Sequence, residues 1–156
     1  MNKKLDSYSE TIFHLINFRC KQYRDSKSMI KIDYDSFMIM SCIGAHYLKN
    51  NTSEGKDWDS VWEMTRSKKV DDSYQLKKLT IFALSNIMEL PRETVRRKVE
   101  ALKNKRLIRH STKVGLIPTD KVSEIMQPFA ISELKALSKF LQALKKHKAL
   151  DQLLSF

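Results

Sequence analysis

Glycine and proline are scarce, at three each in 156 residues. A chain this poor in turn formers and helix breakers, with long runs of apolar residues at helical spacing, is expected to be mostly α-helical. Cysteine is also rare. Cys20 and Cys42 are too few to make a disulfide framework, which points to a reduced, cytoplasmic setting. The amino terminus, MNKKLDSYSE, lacks the apolar segment of a secretory signal, and no stretch of about 18 apolar residues offers a membrane span. No Walker loop, GxGxxG, HExxH, CxxC or GxSxG occurs, so neither an enzyme nor a cofactor is expected. Acidic residues are outnumbered, with 29 Lys and Arg against 18 Asp and Glu. The net charge of +11 calls for a polyanionic partner.

That charge is not spread evenly. Residues 1–76 carry 12 basic and 11 acidic side chains, whereas residues 77–121 carry 12 basic and only 4 acidic. The basic excess falls on Leu79 to Thr119, which reads as a helix, a tight turn, a second helix and a short hairpin. Thr80 is placed to cap the first helix, whose Ile81, Leu84, Ile87 and Met88 follow a 3.6-residue period. Pro91 separates the two helices and suits the first turn of the second. In the second helix Val95, Val99 and Leu102 form a core-facing stripe at i, i+4 and i+7.

At about 100° per residue, Glu93 and Arg97 point nearly opposite that stripe, with Thr94 and Arg96 on their flanks and Arg92 at the tip. A helix lying in the major groove needs this layout, with base readers in the middle and phosphate contacts at the edges. Arg can bond guanine O6 and N7 bidentately, and Glu can accept from cytosine N4. The expected base readers are Arg92, Glu93 and Arg97. The expected phosphate contacts are Thr94, Arg96 and Lys98 on the helix, with Arg109, His110 and Lys113 on the hairpin. A plain solvated helix with a Glu93–Arg97 ion pair is the alternative.

RETVRR followed by EALKNKRLI resembles the recognition helix of the cyclic-AMP receptor protein family, and TVRR…L…LI is similar to the gluconate-repressor (GntR) family. The layout, with helices on both sides of a central reading head, resembles the multiple-antibiotic-resistance (MarR) regulators. The resemblance covers about 40 residues. It implies a winged helix-turn-helix in which Arg92, Glu93 and Arg97 touch base edges and Thr94 a phosphate. Two departures matter. The chain lacks a glycine-rich, β-rich stretch for a cyclic-nucleotide pocket, and Arg106 stands where such families often place Gly before Leu-Ile.

Around this head, residues 1–33 read as a loose tail, a helix from Ser7 to Tyr23 and a connection. Residues 34–121 read as the winged head with an insertion at 49–78. In that part Asp33 or Asp35 caps a buried helix running through Leu48, and DWDSVWEMTRS suggests a short helix in which Trp58, Trp62 and Met64 cover the core or, alternatively, line an effector pocket. Beyond the hairpin TDKVSEIM reads as a short helix ended or kinked by Pro128, and residues 122–156 read as a C-terminal helical dimerisation segment. A long helix then starts at Ser132, and its Leu134, Leu137, Leu141 and Leu144 are spaced 3-4-3 as a helical seam. The seam docks either on the chain's own first helix or on a second copy, and a dimer reading two half-sites is the expectation. Cys42 and His46 at i,i+4, beside Cys20 and His14, have a metal-ligand spacing, yet buried Cys and His are commonly structural and no metal is expected.

The fold class expected is mainly α with a small β-hairpin wing, a winged helix-turn-helix flanked by dimerisation helices. The function expected is a cytoplasmic, sequence-specific regulator of transcription that binds double-stranded DNA as a homodimer. A winged-helix protein-interaction module and a nonspecific nucleic-acid-binding protein are the alternatives.

Overall fold

The computed structural model describes residues 6–51 and 78–155, without the side chains of 49–51. The tail before Asp6, the terminal Phe156 and most of the 49–78 insertion, with Trp58, Trp62 and Met64, lie outside the described residues. Among the described residues helices dominate, and the sheet is one two-stranded antiparallel ladder. None of the described helices is long and apolar enough to cross a membrane.

The chain forms two compact units, Ile32–Met126 and the pair of terminal segments Met1–Lys31 and Gln127–Phe156. The central unit begins with α2 (Tyr34–Asn51). Asp33 caps it, accepting from the Ser36 N–H at 3.0 Å and from the Ser36 hydroxyl at 2.6 Å. Next come α3 (Ile81–Met88), α4 (Arg92–Asn104), β1 (Ile108–Ser111) and β2 (Gly115–Pro118). α2 packs on α3, α4 and β2, so its Phe37, Ile39, Met40, Ile43 and Tyr47 are buried. Across from them lie Leu84, Val95, Val99, Leu102, Leu116 and Ile117, also buried. Ile87, expected on the apolar stripe of α3, is exposed instead, because that eight-residue helix buries little beyond Leu84.

The hairpin pairs Ile108 with Pro118 and Ser111 with Gly115. Leu79 adds a parallel bridge to Gly115, and its carbonyl accepts from the Leu116 N–H at 3.0 Å. This approach requires glycine. Gly115 has φ +81°, and a Cβ there would sit 2.5 Å from the Leu79 carbonyl oxygen. Elsewhere the shortage of glycine leaves other residues in the left-handed region: Lys31, Glu89, Arg106 and Lys148 all have φ between 51° and 59°. Arg106, at the position where glycine was the expected family residue, is one of them.

In the terminal unit α1 (Ser7–Asp25), a π-helical turn (Ser26–Ile30) and the later part of α5 (Asp120–Lys146) lie together, followed by α6 (Leu150–Leu154). α1 runs antiparallel to α5. Gln22 donates to Glu133 at 2.6 Å, the Phe18 and Phe140 rings stack at 5.9 Å, and the Ser7 hydroxyl reaches the His147 carbonyl at 3.3 Å. Of the end or kink expected at Pro128, the end does not occur: α5 continues through it as one helix. Proline removes the N–H that would reach the Glu124 carbonyl and crowds that carbonyl with its ring, and Glu124 lies at an exposed position of the helix.

Candidate nucleic-acid interface

Two helices and a hairpin build the candidate surface. The Thr80 hydroxyl caps α3 by accepting from the Ala83 N–H at 3.1 Å. The chain leaves α3 through Glu89 in the left-handed region, and the Leu90 N–H returns to the Ser85 carbonyl at 3.2 Å. Pro91 occupies the cap position of α4 rather than its first turn, and its carbonyl accepts from the Val95 N–H at 3.1 Å. The Val95–Val99–Leu102 stripe is fully buried, which fixes the rotation of α4 about its axis.

With the stripe inward, Arg92, Glu93, Arg96 and Arg97 are exposed and Thr94 is half-buried. Glu93 pairs with Arg96 rather than with Arg97. Arg96 donates to both carboxylate oxygens, at 2.6 and 2.9 Å, as a two-pronged i,i+3 pair. Those hydrogen bonds lower the Glu93 pKa and raise that of Arg96. Arg97 makes no hydrogen bond or close ion pair with another described residue, so its guanidinium is available to a ligand.

Lys98 departs from the phosphate-contacting role expected of it. It lies three residues beyond Val95, about 60° from the stripe, and its side chain is only 18 % exposed. Its ammonium donates to Asp33 at 2.6 Å and lies 3.5 Å from Asp35. Burial alone would raise the Asp33 pKa, but the hydrogen bonds from Lys98 and Ser36 outweigh it and hold Asp33 at about 2. Lys98 therefore ties α4 to the cap of α2.

On the hairpin, Arg109, His110 and Lys113 are exposed, and the Lys113 N–H is anchored on the Ser111 hydroxyl at 3.1 Å. Two cations that sequence reasoning missed stand with them. Lys78 donates to the Thr112 carbonyl in the hairpin loop, and Lys121 donates to the Lys105 carbonyl at 3.1 Å. The Thr119 hydroxyl caps the Arg106 carbonyl at 2.6 Å, so the base of the hairpin is tied to the C-terminal end of α4.

The proposed seam divides. Leu134, Leu137 and Leu141 are exposed and line one open groove with Leu150, whereas Leu144 is buried, at 1 % exposure, and leaves the seam. Cys42 contributes to no metal-ligating group among the described residues. Its sulfur meets that of Met88 at 3.8 Å, and burial pushes its thiol pKa up. The described residues do bring together one other set of possible ligands, Glu10, His14 and His147.

No protein-family model matches the chain, and no match was found among curated proteins or solved structures.

Proposed function

We propose that the chain is a sequence-specific regulator, not an enzyme, that binds duplex DNA through a winged helix-turn-helix. In this reading α4 is the recognition helix and the hairpin is the wing. The observation that carries it is the rotation of α4. Burial of Val95, Val99 and Leu102 turns Arg92, Glu93 and Arg97 outward on the most basic part of the sequence. The short bridge from Leu79 to Gly115 supports it, since it braces the hairpin beside α4. Arg97 reads a base edge. Arg96, Thr94, Arg109, His110 and Lys113 meet phosphates, while Lys98 does not. The exposed Leu134, Leu137 and Leu141 support a homodimer that reads two half-sites.

Selection of bound sequences from a random duplex pool tests this reading. A recurrent motif, with a footprint that survives excess random DNA and an affinity falling steeply with salt, is the expected result. Binding of an acidic protein with no enriched DNA motif would replace it with the interaction-module reading, and enrichment without a motif would leave only nonspecific binding.

A further inference from the structure

We propose that Glu10, His14 and His147 form a site for a divalent transition metal of the zinc class. Glu10 and His14 are four residues apart, so both project from one face of α1. His147 follows the end of α5, and the antiparallel packing of the terminal unit brings it to that face. One carboxylate oxygen, Oε2 of Glu10, lies 3.4 Å from His14 Nε2 and 3.5 Å from His147 Nε2. A tetrahedral ion with bonds of about 2.0–2.1 Å holds its ligand atoms about 3.3 Å apart. Two edges of the set thus already have tetrahedral length, and all three donor atoms lie within 4.8 Å of one another. The two imidazoles face each other at 5.9 Å and 30°, so small rotations about their side-chain bonds close the third edge.

The donor set selects the class of ion. Two imidazoles and one carboxylate suit zinc and its neighbours, whereas calcium and magnesium require an all-oxygen shell. The three side chains are 16 to 27 % exposed, which leaves an approach for the ion and a fourth position for water. The Ser7 hydroxyl, bonded to the His147 carbonyl, steadies the backbone that carries the third ligand. A bound ion would cross-link α1 to the end of α5 and stabilise the terminal unit by mass action. The rival arrangement, a carboxylate paired with two protonated histidines, gives similar distances and binds no metal. The site stands independently of the DNA-binding reading.

The test is titration of the full chain with Zn²⁺ by calorimetry and with Co²⁺ by visible absorption. One equivalent per chain, on the order of micromolar affinity, and the intense bands of four-coordinate cobalt are expected. His14→Ala and His147→Ala should each weaken binding by roughly a hundredfold or more, since even outer partners of metal ligands contribute about ten- to a hundredfold. Cys20→Ser with Cys42→Ser should leave it unchanged. Saturating Zn²⁺ should raise the Tm of the parent and not of the histidine variants. Equal affinity in the histidine variants overturns the proposal, because the metal is then held elsewhere. Should those variants fail to fold, the unmodified chain still decides. A Co²⁺ spectrum that stays that of the aqua ion leaves Glu10 an ion-pair partner only.

Discussion

In the central unit, Ile32–Met126, sixteen apolar side chains are buried and three large ones are exposed among the described residues; in the terminal unit the numbers are four and eleven. The first set is what a self-sufficient core looks like. The second cannot close over itself: α1 and α5 meet along one line through Phe18 and Phe140, while Phe13, Ile16, Leu134, Leu137 and Leu141 face outward. Two helices cannot enclose their apolar faces without a third layer. A second copy would supply that layer, which is why the homodimer is part of the proposed function. The difference teaches that one leucine can stabilise a fold and another can specify an assembly.

The same substitution in each unit breaks or sharpens that contrast. Leu102→Ala opens a cavity in a position 1 % exposed and should destabilise the fold by about 2–5 kcal/mol in denaturant unfolding. Leu141→Ala, at 41 % exposure, should change the stability of a dilute monomer by less than about 1 kcal/mol. Its effect should appear instead as a weakened dimer in sedimentation at micromolar concentration. Equal effects on monomer stability would show that Leu141 belongs to a core, and the contrast would vanish.

Gly115→Ala probes the brace inside the central unit. The new Cβ meets the Leu79 carbonyl and the backbone leaves its allowed region, so a loss of about 2–3 kcal/mol is expected. Gly44→Ala is the control. Its Cβ would have open space in α2, and helix propensity predicts a gain of up to about 1 kcal/mol. Thermal unfolding should separate the two in sign.

On the outward face of α4, Arg97→Ala should reduce affinity for a selected site by about 1–3 kcal/mol and relax one base preference per half-site. Glu93→Gln releases Arg96 from its two-pronged pair, so nonspecific affinity should rise while base preference flattens. Competition binding with selected and random duplexes reads both. If base preference is intact in both variants, α4 is not the reading helix.

Much of this architecture was legible in the residues. Thr80 as a cap, the Val95–Val99–Leu102 stripe and the hairpin follow from local spacing, which needs no partner to be interpreted. What spacing could not supply was each residue's contact across the fold. Lys98 looked like a phosphate ligand until α2 brought Asp33 to it. Leu144 continued the heptad spacing of its neighbours and still turned into the core. His147 and Glu10 are 137 positions apart, and only the antiparallel pairing of α1 with α5 makes them neighbours. Arg106 stands where glycine is the expected residue, and its φ of +59° is a conformation that glycine adopts without strain. Arg106→Gly should therefore raise stability by about 1 kcal/mol, measured by chemical denaturation.

The smallest expected effect concerns acid. Asp33 titrates at about 2 in the folded chain against 3.8 for an unperturbed carboxyl, so the folded state favours its ionised form. A depressed carboxyl contributes stability that is fully present above about pH 4 and is lost as the pH falls through about 2. Its side chain is 56 % exposed, so solvent screening limits the contribution to about 1 kcal/mol or less. Asp33→Asn keeps an acceptor for the cap of α2 but carries no charge. In that variant, stability should lose this component of its fall between pH 4 and 2. Lys98→Met should remove part of it, leaving the Ser36 hydrogen bonds in place. Denaturant midpoints across that window measure both. If the parent and Asp33→Asn fall in parallel, the Lys98–Asp33 pair does not tie α4 to α2. Lys98 would then be held too weakly at the flank of α4 to keep it from a phosphate.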